Sequence, residues 1–165
     1  MEKFNFEQVR EQLQQTKREL IILLSNQAQN YFLSSFRKQG FDGEAWEEVQ
    51  RRDSGINPKT GKGYSAYLYP KGKGLQRRTS PILTGAGWKV RGGTLRRAVS
   101  NMAKTAHVYQ SSFKMIVDVP YAGYLNEGTP KMPQRQFVGQ TAELTQMQEK
   151  KIIQIVDRIW KAQPI

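Results

Sequence analysis

One glycine-rich stretch of the sequence resembles a phosphate-binding loop, so nucleotide binding is the first chemistry to consider. The stretch runs from Gly55 to Gly63 and ends in Gly-Lys-Gly. A P-loop has four residues between its glycines and a Ser or Thr after its lysine, whose hydroxyl binds Mg²⁺. Here five residues separate Gly55 from Gly61, and Gly63 follows Lys62. The spacing therefore does not predict a nucleotide site.

Metal-dependent cleavage of a phosphodiester is the second chemistry, because it requires only a few carboxylates. Asp118 and Glu127, with Lys114, are the residues near a predicted β-hairpin that such a nuclease could use. His107, the only histidine, has no acidic neighbour in sequence, and the glutamates of residues 44–48 fit a solvated face. The chain also lacks cysteine. We predict no catalytic residue, no metal ligand and no cofactor. A small metal-dependent nuclease is the least favoured of three hypotheses, after a protein-interface component and a nucleic-acid-binding module.

Binding of a polyanion or of a protein interface is the third chemistry. The net charge is +12, and twelve Lys and Arg residues lie between Arg51 and Arg97 against Asp53 alone. Clustered cations gain free energy by releasing counterions from phosphates. Aromatic side chains among them can stack on bases, but they also anchor protein interfaces, which is the interpretation we prefer. A basic nucleic-acid-binding module is the alternative hypothesis. The candidate residues are Arg51, Arg52, Lys71, Lys73, Arg77, Arg78, Trp88, Arg91, Tyr64, Tyr67 and Tyr69.

Residues 51–80, which we call the basic loop, are rich in glycine, and they are predicted to be long and flexible. A short hairpin is predicted within them at residues 64–69, which include three tyrosines. Before the loop, Asp42-Gly43 predicts a turn. Trp46 is expected to dock on the domain while the neighbouring carboxylates stay in water.

The element that precedes the loop is a long helix. It is predicted from Phe6 to Lys38, with Gly40 and Gly43 ending it, because good helix formers fill these positions and no proline interrupts them. At about 1.5 Å per residue this helix is roughly 50 Å long, more than a small sheet can cover, so one end is expected to contact another subunit. The predicted buried stripe consists of Val9, Leu13, Leu20, Leu24, Ala28 and Tyr31.

The elements after the loop are a short helix, a hairpin and a final helix. The short helix is predicted from Thr94, its N-cap, to Met102, and the hairpin strands at residues 106–109 and 113–119. The final helix is predicted for residues 140–161, with a buried stripe of Leu144, Ile152, Ile155, Val156 and Ile159. This order predicts an α+β domain with a central antiparallel β-sheet.

Length and hydropathy restrict the architecture further. A chain of 165 residues fits one domain. The longest apolar run, residues 20–24, is far shorter than a membrane span, and the first residues lack the order of a signal peptide. We therefore expect a single domain over residues 1–165 and no membrane partner.

Several short motifs occur together in an order that resembles the phage virion morphogenesis, or tail-completion, family. The family order is a long N-terminal helix, a segment with Asp-Gly and Trp, a Leu-Thr-Gly element, a hairpin, a Tyr-Ala corner, a Pro-Arg-Phe stretch and a last helix. The motifs here are Phe36 to Trp46, Pro81-Ile82-Leu83-Thr84-Gly85, Leu95-Arg96-Arg97-Ala98-Val99, Tyr121-Ala122, Glu127-Gly128-Thr129 and Pro133-Gln134-Arg135-Gln136-Phe137-Val138-Gly139.

Two departures accompany the resemblance. Residues 86–94 add a glycine-rich insertion, and Glu127-Gly128-Thr129 is closer to a neighbouring head-tail joining family. The resemblance implies a non-enzymatic structural protein at the head-tail junction of a tailed bacteriophage virion, assembled in the host cytoplasm. It implies a homo-oligomeric ring of six or twelve copies that contacts neck, connector or tail-tube proteins and surrounds passing DNA. The structural corner it implies comprises Tyr121, Gly128, Pro133, Arg135 and Phe137.

Overall fold

The protein has an α+β fold in which helices dominate. The structure, a computed structural model, describes residues 6–48, 55–56, 63–64, 82–83, 93–104 and 106–162. Its helices are α1 (Phe6–Lys38), α2 (Thr94–Asn101), α3 (Ala122–Glu127) and α4 (Ala142–Lys161). The strands are β1 (Gly40–Phe41), β2 (Glu44–Ala45), β3 (Gly55–Ile56), β4 (Gly63–Tyr64), β5 (His107–Val108) and β6 (Phe113–Lys114). The predicted long N-terminal, middle and C-terminal helices are confirmed.

The chain forms two compact units. The first unit contains Met1–Tyr31, Ser100–Ile116 and Gly139–Ile165, and the second contains Phe32–Val99 and Val117–Val138. Both α1 and α2 therefore contribute residues to each unit. The expectation of one domain stays a prediction.

In the first unit, α4 packs antiparallel along α1. Val9 is buried against Ile155 and Ile159, and Leu20 packs at the edge of this cluster. Further along, the Gln148 side-chain amide donates to the Leu24 carbonyl at 3.5 Å. The buried stripe is narrower than the sequence pattern predicts, because Leu13 and Val156 are exposed.

The buried face of α1 also includes residues that its pattern did not indicate. Ser25 and Ser35 are almost fully buried, each in its own unit. The Ser25 hydroxyl donates to the Ile22 carbonyl at 2.8 Å, and the Ser35 hydroxyl donates to the Phe32 carbonyl at 2.6 Å. A serine that satisfies its hydroxyl on its own helix acts as a small core residue.

The turn at Asp42-Gly43 is confirmed, and it closes a hairpin of β1 and β2. Both turn residues have positive φ, as a type I′ hairpin turn requires. Gly40 pairs with Ala45 in this ladder. A Cβ at Gly40 would lie 2.3 Å from the Glu44 carbonyl oxygen, so only glycine permits this close approach.

The β structure of the described residues consists of three separate two-stranded antiparallel ladders. In one of them Gly55 pairs with Tyr64, so the basic loop includes a ladder that begins before the predicted hairpin at residues 64–69. Residues 65–70 lie outside the described residues.

The β5–β6 ladder is shorter than the predicted strands. His107 pairs with Lys114, and Val108 pairs with Phe113. Residues 102–104 form a turn after α2, so they do not extend β5 toward residues 117–119. Residues 115–119 still alternate between partly buried and exposed positions, as predicted.

The helix starts differ slightly from the predictions. The Arg97 N–H bonds to the Gly93 carbonyl, which makes Thr94 the first helical residue of α2 rather than its N-cap. Thr141 is the N-cap of α4, because its hydroxyl accepts from the Leu144 N–H at 3.1 Å. The final helix therefore begins two residues after the predicted start.

Candidate interaction surfaces

The structure describes the corner residues but not most of the predicted basic and aromatic candidates. Tyr64 is described only through the backbone of β4. The other candidates lie outside the described residues, namely Arg51, Arg52, Lys71, Lys73, Arg77, Arg78, Trp88, Arg91, Tyr67 and Tyr69. Their role as an interface or a polyanion surface stays a prediction.

The positive charge of the chain is concentrated in one part of the sequence. Residues 51–97 contain twelve of the 26 Lys and Arg residues and one of the 14 Asp and Glu residues. That leaves 14 basic and 13 acidic residues in the rest of the chain, which is nearly neutral. The net positive charge of the chain therefore lies almost entirely within residues 51–97.

Arg135 fixes the chain that leads into the basic loop. It is only 8% exposed. Its Nε and Nη2 atoms donate to the Glu47 carbonyl oxygen at 3.2 and 3.1 Å, and Nη2 also reaches the Glu48 carbonyl at 3.5 Å. The planar guanidinium thus holds two successive peptide groups, which a lysine could not do with the same geometry.

The other flank of the basic loop is anchored in the same unit. Ile82 is buried, and its N–H donates to the Gln39 side-chain carbonyl oxygen. The Gln39 amide nitrogen donates in turn to the Phe36 carbonyl. Both flanks of the basic loop are therefore held by polar side chains of the second unit, in addition to buried apolar contacts.

An aromatic cluster lies beside the corner. The Phe36 ring contacts Trp46 edge to face, with centroids 5.8 Å apart, and it contacts Phe137 at 5.6 Å. Phe137 is 0% exposed. The Trp46 indole N–H donates to the Gln136 carbonyl at 2.6 Å, so Trp46 docks as predicted while Glu47 and Glu48 stay exposed.

Asn126 organises the backbone of the corner. Its side-chain oxygen accepts from the N–H groups of Phe137 and Val138, at 3.0 and 3.1 Å. Gly128 has φ of 76°, and a Cβ there would lie 2.9 Å from the Gln134 nitrogen. The close approach of these two chain segments therefore requires glycine at position 128.

Two other corner residues, Tyr121 and Pro133, lie nearer the surface. Tyr121 precedes α3 and is exposed, and Tyr124 one turn later is 63% exposed. Pro133 is partly buried after a turn in which the N–H groups and carbonyls of Thr129 and Met132 bond to each other. The predicted corner is thus a buried part, centred on Arg135 and Phe137, with two tyrosines exposed at its margin.

α4 has an exposed apolar stripe as well as a buried one. Ile153, Val156 and Trp160 occur at spacings of three and four residues, so they lie on one face of the helix. Ile153 is 59% exposed and Trp160 52%, although the Trp160 ring also meets Phe6 edge to face at 6.3 Å. We call these three residues the α4 stripe.

A hollow of about 730 Å³ opens in the first unit between α1 and the β5–β6 turn. Lys17 and Arg18 line it from α1, and Tyr109 lines it from the hairpin. The other lining residues are Gln14, Val108 and Gln110. We call this the α1 hollow. It was not predicted, because Tyr109 is about 90 residues from Lys17 and Arg18 in sequence and no local pattern marks it.

The residues of the nuclease hypothesis lie at exposed positions. Asp118, Glu127 and Lys114 are each exposed, as is His107, which was expected to be half exposed. Among the described residues, no three His, Cys, Asp or Glu side chains lie close enough to hold a metal ion.

No helix in the part of the chain that the structure describes has the length and hydropathy needed to cross a bilayer.

Asn126 and Gln39 were missed because their role depends on long-range contacts. Each binds backbone groups of segments that are distant in sequence, which a helical or turn pattern does not reveal.

Comparison with protein-family models, curated proteins and solved structures finds no match for this chain.

Proposed function

We propose that the protein is a structural component of a tailed-phage virion, a tail-completion or neck protein that assembles as a ring at the head-tail junction. The ring contains six or twelve copies and contacts connector or tail-tube proteins. The identity of the assembly rests on the resemblance described above. No catalytic residue is part of the proposal.

The observation that carries the proposal is the α4 stripe. Burying apolar surface contributes roughly 25 cal/mol per Å², so a helix face that leaves Ile153 and Trp160 half exposed is suited to a partner surface. In a ring, each copy offers one surface to the copy before it and another to the copy after it. The stripe is one such surface.

The corner supports the same proposal, because distant motifs of the resemblance meet there. Phe36 and Trp46 belong to the segment after the first helix, and Phe137 belongs to the Pro-Arg-Phe stretch. Arg135 from that stretch also holds the residues that lead into the basic loop. These motifs therefore lie together in the second unit, which also holds the residues on both flanks of the basic loop. The loop faces either DNA in the channel or an acidic protein surface.

The first experiment measures assembly by light scattering and electron microscopy, with and without isolated phage tails. Wild-type protein is expected to form rings of defined mass or to add density at the head-tail junction. Ile153→Asp is expected to abolish this assembly, because it places a charge in the apolar contact. Gln154→Asp adds the same charge at an exposed neighbouring position outside the stripe, and it is expected to assemble normally.

Circular dichroism checks that both variants keep the helical content of the wild type. A wild-type protein that stays monomeric and ignores tails would contradict the ring proposal. So would equal assembly by Ile153→Asp and the wild type, because the stripe would then not be an interface.

A second experiment addresses the basic loop. Charge reversal at Arg77 and Arg78 is expected to block joining of heads and tails while the monomer stays folded. Infectious particles in normal yield from this double variant would show that these two arginines have no role in assembly.

A further inference from the structure

The α1 hollow has a composition suited to an anionic ligand. Lys17 and Arg18 provide two cations, and none of the described residues that line the hollow carries a carboxylate. Gln14, Lys17 and Arg18 lie three and four residues apart, so one face of α1 presents all three. The nearest acidic residues on α1 are Glu11, three residues before Gln14, and Glu19, directly after Arg18, and neither is among the described residues that line the hollow.

Tyr109 adds an aromatic surface to these cations. It is 55% exposed although it lies in a defined turn. Its N–H donates to the Ser112 carbonyl at 2.8 Å, and the preceding residue, Val108, pairs with Phe113. The hairpin therefore fixes the backbone that carries the ring while leaving much of the ring accessible to a planar ligand.

The remaining polar groups provide hydrogen bonds of both kinds. The amides of Gln14 and Gln110 each carry a donor and an acceptor, which suits the edges of bases. The volume of about 730 Å³ is within the usual range of ligand sites. Two cations, an exposed aromatic ring and neutral amides are the groups with which proteins bind single-stranded nucleic acid.

We propose that the α1 hollow binds a segment of single-stranded nucleic acid. One base stacks on Tyr109, while Lys17 and Arg18 contact the adjacent phosphates. A duplex keeps its base faces stacked inside, so it can engage the two cations but not the ring. The site shares no residue with the basic loop or with the α4 stripe, and this inference does not depend on ring assembly.

The test measures binding of the full chain to a fluorescent oligothymidylate of about 12 nucleotides by anisotropy, over a series of salt concentrations. Tyr109→Ala is expected to weaken binding about five- to 150-fold, the usual loss for one stacked base. Tyr109→Phe keeps the ring and is expected to bind like the wild type. Duplex DNA of the same length is expected to be insensitive to Tyr109→Ala.

The two cations are tested by Lys17→Gln with Arg18→Gln. Loss of two phosphate contacts is expected to reduce the slope of log K against log salt by about 1.4 for a single strand. Lys150→Gln with Lys151→Gln removes the same charge from α4 in the same unit, at residues that are not among those lining the hollow, and is expected to leave the slope unchanged. The basic loop is intact in every variant, so its contribution is common to all.

Three results would overturn the proposal. The first is equal weakening by the two double variants, which would mean that only net charge matters. The second is wild-type affinity of Tyr109→Ala for the single strand. The third is the same loss for duplex as for single strand on Tyr109→Ala, because stacking cannot then be the cause.

Discussion

The corner of the second unit and the α1–α4 pair of the first unit are held together in different ways. In the corner, Arg135 and Asn126 each bind two backbone groups of distant segments. In the helix pair, the contact around Val9 is an apolar cluster with Ile155 and Ile159. The same α4 helix leaves Ile153 exposed on another face.

This difference separates residues that define the fold from residues available to a partner. A buried side chain that satisfies several backbone groups cannot be replaced without leaving those groups unpaired. An exposed apolar residue can be replaced with little effect on the isolated chain. Substitutions in the corner are therefore expected to change stability, whereas those in the α4 stripe are expected to change assembly.

The largest effect is expected for Phe137→Ala. Phe137 is fully buried against Phe36, so truncation leaves a cavity in the aromatic cluster and lowers the free energy of unfolding by about 3–5 kcal/mol. Tyr124→Ala, at an exposed position of the same unit, is expected to change it by less than about 0.5 kcal/mol. Urea denaturation measures both. Similar losses for the two variants would show that the cluster is not the core of the corner.

The second effect is expected for Arg135→Met, which keeps much of the volume but removes the guanidinium. The carbonyls of Glu47 and Glu48 lose their donor, and we expect a loss of about 2–3 kcal/mol in the free energy of unfolding. Lys131→Met removes the same charge at an exposed position and serves as the control. Equal stability of the two variants in urea would contradict an anchoring role for Arg135.

The third comparison is between two glycine variants, whose free energies of unfolding are expected to change in opposite directions. Gly128→Ala places an alanine at a positive φ and brings its Cβ within 2.9 Å of the Gln134 nitrogen. We expect this variant to lower the free energy of unfolding by about 2 kcal/mol. Gly123→Ala meets nothing within 4 Å inside α3, and it is expected to stabilise by about 0.5–1 kcal/mol. Thermal unfolding compares them. Stabilisation by both would show that the two segments at position 128 can move apart.

Helices could be predicted from the sequence because their signals are local. α1 was predicted with its observed bounds, since thirty-three residues without proline give a consistent pattern. The turn at Asp42-Gly43 was equally evident, because few residues adopt positive φ. The alternation of residues 113–119 was also predicted, although only two of them pair in a strand.

Contacts between distant segments could not be predicted in the same way. The Trp46 indole N–H bonds to the Gln136 carbonyl across 90 residues of sequence, and the Ile82 N–H bonds to the Gln39 side chain across 43. In the corner, the resemblance indicated Arg135 and Phe137, but not Asn126, whose bonds to the backbone of Phe137 and Val138 depend on the folded chain. Polar residues that bind distant backbone look like surface residues in a sequence.

The smallest effect is expected for Thr141→Ala, and it tests whether the first unit also depends on a polar anchor. The Thr141 hydroxyl accepts from the Leu144 N–H and donates to the Tyr31 hydroxyl, which itself donates to Glu143 at 3.1 Å. Loss of this N-cap is expected to lower the free energy of unfolding by about 1 kcal/mol. Thr141→Ser keeps the hydroxyl and is expected to restore most of it. A loss in urea as large as that of Arg135→Met would mean that the helix pair depends on a single polar group as strongly as the corner does, and the contrast between the two units would fail.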